Sequence, residues 1–167
     1  MSNDAESVSL RLTMPKIIQS INDEIIAHAR SEAPYECCGL LAGEEKRGVI
    51  TDIYRINNLP SDDPRIVDLN IPSDRRFRYM MDPQGQFIAM KDMRHRGIVM
   101  MGVYHSHPHS PAYPSDTDLR LAFYSDIFYF IVSLENDTPD LRAFSIVDNK
   151  ITEDRIEITT GSGAKLT

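Results

Sequence analysis

The most constraining feature of the chain is the apolar run Ile98 to Tyr104, which leads directly into His105-Ser106-His107-Pro108. The run is far short of the ~18–20 residues of a membrane span. It lacks polar alternation, so it reads as a strand buried in a sheet. Side chains two apart on a strand point to the same face, so His105 and His107 can aim both imidazoles at one point. The end of a buried run places that point at the edge of the sheet, within reach of a substrate.

The rest of the chain supplies elements to surround that strand. Ile17, Ile18, Ile21, Ile25 and Ala29 recur at helical spacing and Pro15 suits a first turn, so 15–32 reads as an amphipathic helix ended by Pro34. Gly39 to Gly43 and Val49 to Ile56 read as strands around a polar turn containing Glu44 and Glu45. Residues 59–76 are rich in Pro, Asp and Arg and read as a surface loop. Asp82-Pro83 caps and opens a second helix, which Gly97 closes. Ser115 opens a third, short helix, and Ile127 to Leu134, Leu141 to Val147 and Ile151 to Ile158 read as strands. The expected fold is a mixed α/β (α+β) domain, one mixed β-sheet flanked by two long helices and one short one. Residues 10–158 make up that domain, with a frayed stretch at 1–9 and a loose tail at 159–167.

At 167 residues the chain suits one domain with a real core. A net charge of −7 argues against nucleic acid as a partner, since phosphate binding needs clustered Lys and Arg. The densest basic stretches, Arg75-Arg76-Phe77-Arg78 and Arg94-His95-Arg96, read as solvated surface. No apolar run is long enough for a membrane partner. The only cysteines, Cys37 and Cys38, are neighbours, so there is no disulfide framework and a reducing cytoplasm is the expected compartment. Both read as core packing. His28 and His95 read as surface residues, and His109 lies close to the motif but off it, in reach of substrate at most.

The pair of imidazoles points to metal chemistry. Zinc takes imidazole nitrogen and carboxylate oxygen at about 2.0–2.2 Å and, in catalytic sites, keeps a fourth position open. Asp118, in the first turn of the third helix, is the natural third ligand, so one Zn2+ per chain is expected on His105, His107 and Asp118. Ser115 and Asp118 also fit a helix capping pair. The two readings are compatible. Neither H-E-x-x-H nor the H-x-E and P-C-x-x-C pattern of zinc deaminases occurs.

The joint pattern H-S-H-x7-S-x2-D, filled by His105, Ser106, His107, Ser115 and Asp118, resembles the JAMM motif of the MPN+ metalloproteases. Pro34-Tyr35-Glu36-Cys37-Cys38-Gly39 resembles the segment that carries that family's upstream glutamate. The similarity runs over roughly 15–150, through Asn57-Asn58, Phe77 and Met81-Asp82-Pro83. It implies an MPN (cytidine-deaminase-like) fold, a zinc ion, Glu36 as catalytic base and Ser115 as donor to the oxyanion. The short loops resemble the compact prokaryotic members, which trim or release adducts from the C-terminal Gly-Gly of ubiquitin-like β-grasp sulfur-carrier proteins. The partner implied is such a carrier, and a homodimer is compatible with the sequence. The alternatives are a deubiquitinase-like isopeptidase and a non-catalytic MPN scaffold, although scaffolds typically lack motif residues that this chain retains.

Overall fold

The computed structural model describes residues 14–161. Along the chain lie β1 (Lys16–Ile18), α1 (Gln19–Glu32), β2 (Cys38–Glu44), β3 (Val49–Ile56), α2 (Pro64–Asp68), α3 (Pro83–Arg96) and β4 (Val99–His107). After these come α4 (Asp116–Arg120), β5 (Phe128–Ser133), β6 (Asp140–Val147), β7 (Lys150–Asp154) and β8 (Glu157–Thr159). The strands form one sheet in the order β7-β6-β5-β4-β2-β3-β1-β8. The sheet is mixed, as expected: β4 runs antiparallel to β2 and parallel to β5. The parallel pairing requires a crossover, and that crossover carries α4.

Each face of the sheet has a helix. The stripe Ile21, Ile25 and Ala29 of α1 packs with Leu41, Tyr104, Phe130 and Val132 on one face. Ala89 and Met93 of α3 pack with Leu40, Val103, Tyr129 and Tyr79 on the other. Asp82 caps α3 by accepting from the Gln84 and Gly85 amides, and Gly97 closes it at φ 67°. At Gly39 a side chain is excluded, because a Cβ would lie 2.2 Å from the Tyr54 carbonyl and 2.5 Å from the Tyr104 ring. The strands therefore close up tightly beside Cys38, which pairs with His105.

Four expectations need correction. The first helix begins at Gln19, not Pro15, because Lys16–Ile18 forms a strand between β3 and β8. Ile17 and Ile18 are β-branched and fit either period, and the pairing satisfies backbone groups that a helical turn would leave open. The 59–76 loop contains α2, whose N-cap Asp63 accepts from the Arg65 amide. Ile151 to Ile158 is two strands, β7 and β8, which lie at opposite edges of the sheet. Thr159 belongs to β8 and not to a loose tail, while 1–13 and 162–167 lie outside the described residues. Among the described residues, no helix is long and apolar enough to cross a membrane.

Candidate metal centre

Strand alternation sends Val103 and His105 to the α3 face of β4 and Tyr104 to the α1 face. His105 and His107 are buried, 1% and 4% exposed, and their Nε2 atoms lie 3.1 Å apart. Asp118 enters from α4. Ser115 forms a full capping box with it: Ser115 Oγ accepts the Asp118 amide at 3.1 Å and Asp118 Oδ2 accepts the Ser115 amide at 2.7 Å. That box turns the carboxylate onto the imidazoles, with Oδ1 3.3 Å from His105 Nε2 and Oδ2 3.3 Å from His107 Nε2.

These separations match a metal site. Ligands about 2.0–2.1 Å from a tetrahedral ion stand ~3.3 Å from one another. The protonation states fit as well. His107 Nδ1 faces the Pro111 carbonyl at 2.8 Å, so Nδ1 carries the proton it donates and Nε2 presents a lone pair. Burial lowers the pKa of His105 against the pull of Asp118, which favours the neutral, ligating imidazole. Burial opposes ionisation of Asp118, but His105 and His107 outweigh it and hold its carboxyl well below the usual range. Among the described residues, His105, His107 and Asp118 are the group of metal-ligating type whose donor atoms converge. The His105 ring is oriented by packing. It stacks on Tyr79 at 4.4 Å and 23°, and its Nδ1 has no hydrogen-bond partner.

Glu36 reaches the same place through the backbone. The Cys37 amide donates to Ser106 Oγ at 2.8 Å and the Ser106 amide to the Cys37 carbonyl at 3.1 Å, which lays residues 36–38 along the end of β4. The Glu36 carboxyl is buried, with Oε2 unpartnered. Desolvation first, and the Asp118 charge second, push its pKa up to about 9 against the opposing pull of Arg78. Glu44 and Glu45 are exposed, at the far end of β2. His95 is exposed and Cys37 and Cys38 are buried, as expected, and His109 is exposed too.

Two expectations fail here. His28 is buried, and its Nδ1 lies 2.8 Å from the Tyr104 hydroxyl. Its spacing from Ile21 and Ile25 puts it on the α1 stripe, a signal present in the sequence. Arg78 is also buried, at 1% exposure, and is not solvated surface. Tyr79 carries no local motif, and Asn58 marks the resemblance without showing its role, which depends on contacts distant in sequence.

Residues 19–147 match the family described as prokaryotic homologs of the JAB domain. The chain belongs to this family. It is thus of the compact prokaryotic JAMM/MPN+ type, with the α+β fold that type implies. Among its relatives is the CysO-cysteine peptidase of Mycobacterium tuberculosis, 33% identical over 139 residues that cover 80% of this chain and 84% of the relative. Another is the desampylase of Haloferax volcanii, 31% identical over 115 residues, or 66% of this chain and 74% of the relative. A solved structure of a Desulfitobacterium hafniense protein superposes with a TM-score of 0.73 at 34% identity, covering 89% of this chain and 94% of that one. Relatives of this JAB-domain chain thus include a peptidase named for CysO-cysteine and, in Thermus thermophilus, a probable protease named for cleaving TtuB-protein conjugates.

Proposed function

We propose that the protein is a zinc peptidase that hydrolyses an amide bond at or just beyond the C-terminal Gly-Gly of a ubiquitin-like sulfur-carrier protein. The observation that carries this reading is the convergence of His105 Nε2, His107 Nε2 and Asp118 at 3.1–3.3 Å, near the buried Glu36 carboxyl, whose Oε2 is unpartnered and which feels the Asp118 charge. One Zn2+ held by the three ligands would supply Lewis acidity and bring the pKa of a water toward neutrality.

The chain's own groups do the rest. Glu36, whose carboxyl would ionise once the charge of a bound ion offsets its burial, takes the proton of the attacking water and returns it to the leaving amine. Ser115 Oγ already accepts the Asp118 amide and keeps its own proton free, so it donates to the oxyanion that develops on the scissile carbonyl. Glycines at the cleavage point suit a narrow site because backbone can approach without a side chain in the way. The 134–139 turn is short, which leaves recognition to the carrier's flexible tail and to the 59–76 segment. Arg120 of α4 donates to the Asn70 and Leu69 carbonyls, so that segment adjoins the helix bearing Asp118. The names of the mycobacterial and haloarchaeal relatives support the substrate class, and two free, buried cysteines suit a reducing cytoplasm.

The test is to incubate the purified protein with a carrier extended beyond Gly-Gly, and separately with lysine-linked diubiquitin, and to follow intact mass. Loss of a defined C-terminal mass from the carrier, blocked by a chelator, is the expected result. Cleavage of diubiquitin beside an untouched carrier would overturn the substrate assignment in favour of a deubiquitinase.

A further inference from the structure

We infer that Asn58 and Arg78 are positioning residues that hold the Glu36 peptide in register with the metal ligands, an inference that rests on Glu36 being the base. The connection between β3 and α3 closes on itself. Leu59 donates to the Met80 carbonyl at 2.8 Å and Asp82 to the Asn57 carbonyl at 2.9 Å, so 57–59 lies against 80–82. The Arg78 guanidinium fills the ring this makes. Nε donates to the Pro72 carbonyl at 3.1 Å, Nη1 to Asn58 Oδ1 at 2.7 Å and the Leu59 carbonyl at 2.9 Å, and Nη2 to the Ser73 and Pro60 carbonyls at 2.9 and 3.4 Å. Each of its N–H groups thus has an acceptor, and among the described residues it makes no ion pair.

Asn58 joins that ring to the site. Its Oδ1 accepts from Arg78 Nη1 and from the Met80 amide at 3.0 Å, while its Nδ2 donates to the carbonyls of Arg78 and of Glu36, each at 3.0 Å. The Glu36 amide in turn donates to the Arg75 carbonyl at 2.9 Å. Both backbone polar groups of Glu36 are therefore held by the ring, and the next residue is held by Ser106 of β4. Burying an unpaired guanidinium is costly, and an apolar side chain could fill the space at less expense. What Arg78 adds is a fixed frame of carbonyls around Asn58, and a cation whose field opposes the burial of the Glu36 charge. A base displaced by about 1 Å loses on the order of a hundredfold in rate, so rigidity at Glu36 has direct catalytic value.

The test uses Asn58→Asp, Arg78→Met and Arg78→Lys in the zinc-loaded protein, with Glu36→Gln as reference. Asn58→Asp keeps the acceptor for Arg78 and the Met80 amide, so the ring stays closed, but it replaces the donor to the Glu36 and Arg78 carbonyls with an oxygen that repels both. Expected are unchanged zinc content and KM, a lowered melting temperature with the protein still folded at the assay temperature, and a kcat per folded molecule lower by about ten- to a hundredfold. Amide exchange at Glu36 should be faster than in the wild type. Arg78→Lys should recover part of what Arg78→Met loses. If Arg78→Met does not fold, Asn58→Asp alone decides. A fully active Glu36→Gln protein overturns the base assignment and this inference with it. An inactive Glu36→Gln protein beside an Asn58→Asp protein with wild-type kcat and wild-type Glu36 exchange overturns the positioning role alone.

Discussion

Ser115 is a helix cap and the proposed oxyanion donor, and the two roles differ enough in size to be separated. Ser115→Ala removes the oxygen that accepts the Asp118 amide at 3.1 Å. Loss of an N-cap costs ~1 kcal/mol, which for a domain of this size lowers the melting temperature by about 2–4 °C. Even from a stability of only ~5 kcal/mol, that leaves about 0.1% of the molecules unfolded, far too few to reduce turnover measurably. Loss of an oxyanion donor costs ~10²–10³ in turnover, roughly 3–4 kcal/mol of transition-state stabilisation. The Ser115 amide still binds Asp118 Oδ2 in the variant, so zinc content should hold. Melting curves, zinc content, kcat and KM are measured on one preparation. Ser115→Gly is the control, since glycine caps within a few tenths of a kcal/mol of serine but offers no donor. Both variants should lose kcat alike, with Ser115→Gly melting closer to wild type. Turnover per folded molecule within about threefold of wild type, or turnover that tracks the melting temperature across the two variants, would refute the donor role.

Glu36→Gln should lose ~10²–10⁴ in turnover while still binding zinc, as kinetics and elemental analysis would establish. In the metal-free protein the same change should stabilise the fold increasingly as pH rises. The folded carboxyl, pushed up to about 9, holds a proton that the unfolded chain has released above its ordinary carboxylate pKa, so wild-type stability falls through that window. Parallel melting-temperature profiles for the two proteins from pH 4 to about 9 would contradict the burial argument. His28 acts in the opposite sense. Burial first and Arg55 second lower its pKa to about 4, so its contribution is present above ~6.5 and is lost as pH falls toward 4. His28→Gln should flatten the acid limb of the stability profile, and calorimetry that finds no difference between the two proteins below pH 6 would count against it.

The parts of the site carried by short-range spacing were legible in the sequence. The two-residue period of β4 brings His105 and His107 to one face, and the three-residue reach of the capping box brings Asp118 to them. Asp82 and Gly97 likewise mark both ends of α3. What was not legible depends on distant pairing. Lys16–Ile18 is a strand because Val49 and Glu157 flank it, and its isoleucines suit a helix equally well. Arg78 stands in a basic stretch that looks like surface, and only the carbonyls of 58–60 and 72–73 folding back around it make it interior. Glu36 lies outside any regular element, so its place near His105 and Asp118 follows from bonds to Asn58, Arg75 and, through Cys37, Ser106.

The most direct test of the central claim is the zinc content of the purified protein and of His105→Ala, His107→Ala and Asp118→Ala, measured by elemental analysis after exhaustive dialysis. Three neutral or anionic donors converging at 3.1–3.3 Å predict close to one zinc per wild-type chain and an emptied site in each variant. A wild-type protein that takes up no zinc when it is supplied, or three variants that all retain a full complement, would contradict the account.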